Sequence, residues 1–291
     1  MTITHLPVLV REVVDLLSPK EGGTCVDATI GLGGHAEVLL QKVGQKGRVV
    51  GIDRDDEALE RTAARLHDDR LILRKGSFSG MTGLLHAEGI QEVDGVLLDL
   101  GVSMMQLRDL QRGFSFTASE RLDMRMDREQ AISAWDVVNT YQDKELIRIL
   151  REYGEEYRAA RIVRWIAEAR SRKTIDTCDE LAALVERSIG RSGRTHPATR
   201  TFQALRIEVN QEMQELKTGL HEALGVLKKG GRICVISYHS LEDRIVKNFI
   251  RDNAKNMVLT PLVKKPVTPG IEEVRANPSS RSAKLRGAEK L

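Results

Sequence analysis

The chain has 291 residues, 41% of them hydrophobic and 30% charged, a balance that suits a globular enzyme and excludes a disordered or fibrous protein. A formal net charge of +3 is too small to imply nucleic acid by itself, and 4% aromatic residues argue against binding through many stacked rings. No apolar run approaches the roughly 20 residues of a membrane span, and the start lacks a charged segment followed by a hydrophobic stretch, so a cytoplasmic location without a membrane partner is expected.

In chain order, Val10, Val13, Val14 and Leu17 recur at helical spacing before the breaking run Ser18 to Gly23, which predicts a helix ahead of the first strand. Stretches rich in Val, Ile and Leu then predict four strands, at Thr24 to Ala28, Arg48 to Ile52, Leu71 to Arg74 and Gly95 to Leu100, with helical segments between the first three. Continuous apolar strands alternating with helices imply a parallel sheet covered on both faces. From Gln106 to Asn210 the pattern is helical: Leu146, Ile149 and Leu150 form one stripe, and Leu181, Leu184 and Val185 another, closed by Gly190. Gly113 to Met126 between them reads as loop. Met213, Leu216, Leu220, Ala223, Leu224 and Leu227 then share a helical face, Gly230-Gly231 is expected to stop that helix, and Ile233 to Ser237 to form the fifth strand. The fold class is therefore α/β, a Rossmann-like sheet with a helical insertion between the fourth and fifth strands. Residues 1–105 and 211–291 are expected to form the sheet domain and 106–210 a substrate-recognition insertion. Cys25, Cys178 and Cys234 are odd in number, widely spaced and without a Cys-x-x-Cys pair, so they read as reduced core residues and no metal site is expected.

The glycine loop leaves two cofactors open, and the acids beside it separate them. Gly31-x-Gly33-x-x-Ala36, with Asp53 some twenty residues on, suits a dinucleotide and a methyl donor alike, because small residues let backbone approach a ligand and an acid at a strand end accepts ribose hydroxyls. The approach Val26-Asp27-Ala28-Thr29-Ile30 separates them, since a carboxylate there would repel a pyrophosphate but favours a ligand carrying an ammonium and a sulfonium. Leu98-Asp99-Leu100-Gly101 adds a second acid at the same edge, so S-adenosylmethionine is the expected cofactor of the sheet domain.

Several ordered strings together resemble one family, the bacterial small-subunit rRNA cytosine-N4 methyltransferases (RsmH/MraW). They include His5-Leu6-Pro7-Val8-Leu9, Gly33-Gly34-His35-Ala36, Gly51-Ile52-Asp53-Arg54-Asp55, Gly76-Ser77-Phe78 and Leu98 to Ser103 leading to Gln106-Leu107. Arg112 to Phe116, Arg121 to Met126, Thr199 to Ile207, Tyr238 to Arg244 and Ser280 to Arg286 complete a set that covers essentially the whole chain. The resemblance implies a class I methyltransferase sheet and methylation of a cytidine amine in the decoding region of 16S rRNA, within the small ribosomal subunit, and leaves a homodimer open. It also implies a cofactor set: Gly33, Gly34 and His35 in the loop, Asp53 on the ribose, Phe78 beside the adenine, and Asp99 and Gln106 near the methionine end.

The usual amine-holding motif, an Asp, Asn or Ser before two prolines and an aromatic, is absent from Asp99-Leu100-Gly101-Val102-Ser103, so no residue is assigned the catalytic step. Asn210, Tyr238, His239 and Ser240 are candidates for the acceptor side. Arg194, His196, Arg200 and Arg206 could meet RNA phosphates, and the segment with Arg275, Arg281, Lys284, Arg286 and Lys290 reads either as a solvated terminus or as a phosphate clamp. A methyltransferase of the same fold acting on another RNA or on DNA, and a non-catalytic RNA-binding protein, are the competing functions.

Overall fold

The computed structural model describes residues 7–116, 119–191 and 196–291, which leaves His5, Leu6 and Arg194 outside the described residues. The chain forms two compact units, one of residues 1–101 with 213–291 and one of residues 102–212.

The first unit is a seven-stranded sheet in the order β3-β2-β1-β4-β5-β7-β6. Its strands are β1 Thr24–Asp27, β2 Arg48–Asp53, β3 Leu71–Lys75, β4 Val93–Asp99, β5 Leu227–Ser237, β6 Leu259–Pro261 and β7 Lys284–Lys290. The first five run parallel, and β7 inserts antiparallel between β5 and β6. Around them lie α1 Val10–Leu17, α2 Gly34–Val43, α3 Asp56–Arg65 and α4 Met81–Ala87, and, after the second unit, α11 Glu212–Val226, α12 Ser240–Lys255 and α13 Ile271–Ala276. Successive strand residues point to opposite faces. Cys25, Val49, Leu97, Cys234 and Ile236 therefore enter one core with α1 and α2, while Val26, Val50, Val96, Leu98 and Val235 enter the other with α4, α11 and α12. Both faces are buried, and this is why the strands read as unbroken apolar runs. Cys25 and Cys234 are free and buried, their thiols pushed up to about 12 by burial.

Two expectations are corrected by this unit. Gly230-Gly231 does not stop a helix, because α11 has ended at Val226 and Leu227 already pairs with Val93 while Arg232 pairs with Gly95. The glycines lie in the irregular stretch between those pairings, where Gly230 takes φ 74°. Leu227 fits the helical phase of the residues before it, but its fully buried place in the sheet wins. The basic C-terminal segment is in part neither a solvated terminus nor a free clamp: Arg275 and Arg281 are exposed, but Lys284 to Lys290 form β7. Its Arg286 donates to Asp243 Oδ1 at 2.7 Å, with the two side chains only 12% and 15% exposed, and Lys290 Nζ donates to the carbonyls of Leu224 and Leu227. Burial works against the Asp243 carboxylate, but Arg286 and Lys284 outweigh it and hold the carboxyl below its usual range. Arg286→Ala should therefore lower stability by about 3 kcal/mol, since it leaves Asp243 half-buried without its main partner. Chemical denaturation would measure this, and a loss under about 0.5 kcal/mol would place the pair with weak surface ion pairs.

The second unit holds α5 Met104–Arg108, α6 Ala134–Thr140, α7 Asp143–Glu152, α8 Ala159–Arg170, α9 Cys178–Ile189 and α10 Thr199–Val209. Their apolar stripes, among them Leu146, Ile149, Ile162, Val163, Leu181, Val185 and Leu205, share one core with Leu122 and Met124 from the segment ahead of α6. Arg112 pins that segment by donating to the carbonyls of Arg125 and Met126, and Trp135 Nε1 of α6 donates to Asp176 ahead of α9 at 2.8 Å. Among the described residues, no helix is long and apolar enough to cross a membrane.

Candidate cofactor site

The strand order reverses between β1 and β4, which opens a crevice beyond their carboxyl ends, the usual ligand position in an open α/β sheet. Asp27 closes β1 and Asp99 closes β4, so an acid flanks the crevice on each side. Asp53 stands at the end of the adjacent β2.

The loop from β1 to α2 is built around these acids. Gly31 N–H donates to Asp53 Oδ2 at 2.9 Å, and Thr62 Oγ1 from α3 donates to the Gly31 carbonyl at 2.7 Å. Gly33 caps α2 with φ 76°, and a Cβ there would come within 2.8 Å of Leu66 and Thr62, so the position requires glycine on both backbone and steric grounds. With Gly34 and His35 in its first turn, α2 presents its amino end, the positive pole of its dipole, at the loop. His35 is 6% exposed; its Nε2 has no hydrogen-bond partner and lies 3.5 Å from Asp99 Oδ2. Burial opposes a charged imidazole, but Asp99, Asp27 and Glu273 together raise its pKa above the ordinary value.

Asp27 is 1% exposed, and burial pushes its carboxyl up to about 7, helped by Asp99 and Asp53 and opposed by His35. Burial also raises Asp53, against the backbone N–H groups of Asp55 and Gly31 that its oxygens accept. Phe78 opens a single 3₁₀ turn after β3, and its half-buried ring packs on Gly219 of α11, where a Cβ would meet the ring at 2.2 Å. Ser77 and Ser79 beside it both donate to Glu215, which also binds Arg54 at 2.8 Å, so the turn is fixed to α11.

Gly33, Gly34, His35, Asp53, Phe78 and Asp99 thus all belong to the sheet unit. Gln106 belongs to the second unit, where it closes the capping box of α5 by accepting the Ser103 N–H at 3.1 Å. These groups suit S-adenosylmethionine: a left-handed glycine cradle, an orphaned buried imidazole nitrogen, and acids where positive charge would sit.

A model of the MraW methylase family matches residues 2–291. The chain belongs to that family. The ribosomal RNA small subunit methyltransferase H of Persephonella marina is 50% identical over 99% of this chain and 100% of its own length. The protein of the same name from Caldicellulosiruptor bescii is 45% identical over 99% of each chain. A crystal structure of a candidate rRNA-methylase from Clostridium thermocellum is 18% identical, with a TM-score of 0.50 over 99% of this chain and all of that one, and shows the shared fold. This MraW-family protein is a class I methyltransferase whose cofactor is S-adenosylmethionine.

The acceptor-side and RNA candidates fare differently. His239 caps α12 in a capping box, accepting the Glu242 N–H, and its buried Nε2 lies 3.1 Å from Glu242 Oε1 without forming a hydrogen bond. Asn210 is buried and its amide braces the segment before α6: Oδ1 accepts the Met126 N–H and Nδ2 donates to the Met124 carbonyl. Arg206 is engaged by both oxygens of Glu212 at 2.8 Å, and His196 stacks on Phe116 at 4.4 Å. Arg200 is exposed. Sequence reasoning named Tyr238 only for the acceptor side and missed its bond to Asp99 Oδ1 at 2.9 Å. The only signal for it was a tyrosine directly after the fifth strand.

Proposed function

We propose that this protein transfers a methyl group from S-adenosylmethionine to the exocyclic N4 amine of a cytidine in the decoding region of 16S rRNA, acting in the cytoplasm on the small ribosomal subunit. The observation that carries the reading is the family match over essentially the whole chain, with relatives named as small-subunit rRNA methyltransferases at 45% and 50% identity.

When bound, S-adenosylmethionine supplies an already activated methyl group on a sulfonium. The chain then has to bind, align and exclude water. Asp53 would accept the ribose hydroxyls, the Gly33-Gly34-His35 turn would admit the ligand against the backbone, Phe78 would lie beside the adenine, and Asp99 would hold the amino-acid end, to which the resemblance also assigns Gln106. Asp27 adds negative potential beneath the loop. The cytosine amine is a weak nucleophile because its lone pair is delocalised into the ring, so in-line placement of a base drawn out of its stack supplies most of the rate. The helical unit takes the role of RNA recognition. Exposed Arg161 and Arg164 share a face of α8 with Trp165, a combination of charge and ring that suits phosphate and base.

Incubating the protein and labelled cofactor with naked 16S rRNA, small subunits and DNA, then mapping the label by mass spectrometry, tests this reading. Label on the N4 of a single cytidine in the decoding region, strongest on the subunit, is the expected result. Label confined to DNA or protein overturns it.

A further inference from the structure

We propose that Tyr238 is a positioning residue for the amino-acid end of the cofactor, acting through Asp99. The proposal rests on the assignment of Asp99 to that end of the ligand.

Tyr238 follows the last residue of β5 and leads into α12. Its backbone N–H donates to Glu242 Oε2 at 2.8 Å, which ties it to the first turn of that helix. Its phenol donates to Asp99 Oδ1 at 2.9 Å. The ring rests against Gly101, which takes φ +100° and whose added Cβ would stand 3.6 Å from ring atom Cδ2. Asp99 is held from other sides too: its backbone N–H donates to Thr29 Oγ1 at 2.6 Å, and its Oδ2 faces His35 Nε2 at 3.5 Å. Each carboxylate oxygen thus has its own neighbour, the phenol on one side and the imidazole on the other.

That arrangement has a physical purpose. Three acids, Asp27, Asp53 and Asp99, stand at the ends of neighbouring strands, and their mutual repulsion favours turning Asp99, whose side chain is 18% exposed, towards water. A buried donor on Oδ1 opposes that turn and leaves the carboxylate aimed for a cation. Burial, with Asp99 and Glu242 nearby, pushes the phenol well above its ordinary range, so it keeps its proton and serves as a donor. The charged and titratable groups around the pair are His35 from α2, Asp27 from β1, Asp53 from β2, Glu242 from α12 and Glu273 from α13.

The test is calorimetry of S-adenosylmethionine and of its demethylated product on the full chain and on Tyr238→Phe, with 5′-methylthioadenosine as the control that lacks the amino-acid end. The phenylalanine ring retains the packing on Gly101, so the melting point should stay close to the parent's. Affinity for both ligands should fall by roughly tenfold or more, the loss of one hydrogen bond to a charged group. Affinity for 5′-methylthioadenosine, which lacks the amino-acid end, should stay at the parent's value, because the lost contact acts only on that end of the ligand. A folded Tyr238→Phe with unchanged affinity for the two ligands that carry the amino-acid end, or with an equal loss for 5′-methylthioadenosine, overturns the proposal. Asp99→Asn separates this failure from that of the underlying assignment: parental affinity in that variant removes Asp99 from the site, whereas weakened binding there beside a silent Tyr238→Phe rejects only the role of the tyrosine.

Discussion

Replacing Asp53 by alanine should weaken S-adenosylmethionine binding by on the order of 10²- to 10⁴-fold, the equivalent of two charge-assisted hydrogen bonds at about 1.5–3 kcal/mol each. Two effects add. The ribose hydroxyls lose their acceptor, and the loop loses the carboxylate that fixes the Gly31 and Asp55 N–H groups. Asp53→Asn separates them, because an amide oxygen still accepts one N–H while the charge is gone; it should fall between parent and alanine variant. Calorimetry on the three proteins checks this ordering. An alanine variant that binds like the parent would remove Asp53 from the cofactor site.

Asp27 gives the second large effect, on stability. Its carboxyl stands at about 7 in the folded protein against an ordinary value of 3.8. Between those values the folded chain binds more protons at this position than the unfolded chain, so stability falls as pH rises from about 4 to 7 and stays lower above. Roughly three pH units at 1.36 kcal/mol each correspond to on the order of 4 kcal/mol. Asp27→Asn should remove that slope in the cofactor-free protein: nearly equal to the parent near pH 4, and more stable by a few kcal/mol at about pH 8. Denaturant titrations of both proteins across this range measure the difference, and parallel stability profiles would show that the charge on Asp27 is compensated in the fold. The same substitution should weaken cofactor binding, because it removes one of the acids facing a cationic ligand. An acid kept at this cost in stability is what a binding site requires and a core does not.

The glycine loop and the acids at the ends of β1, β2 and β4 were legible in the chain because each acid lies at a local boundary, where an apolar run ends in a carboxylate, and after β1 and β4 a glycine follows within a few residues. The five parallel strands were legible for the same reason, since a strand buried on both faces needs no partner to be recognised as apolar. The helical stripes of the second unit follow from spacing alone.

Polar and charged residues carried no such signal. Arg286 as part of a clamp and Arg286 as a strand residue look the same in sequence; the difference is Asp243, 43 positions away. His239 and Asn210 look alike as polar candidates in the chain, and only the fold shows that one caps α12 while the other braces the segment before α6. Tyr238 and Asp99 are 139 positions apart, and only the pairing of β4 with β5 brings the ends of those strands together. The chain by itself determined which segments bury their apolar faces and which small and acidic residues stand at the strand ends, because both are local properties of side-chain type and order. The tertiary structure alone decided what each polar group bonds to, because a hydrogen bond or an ion pair depends on a partner that sequence distance does not reveal.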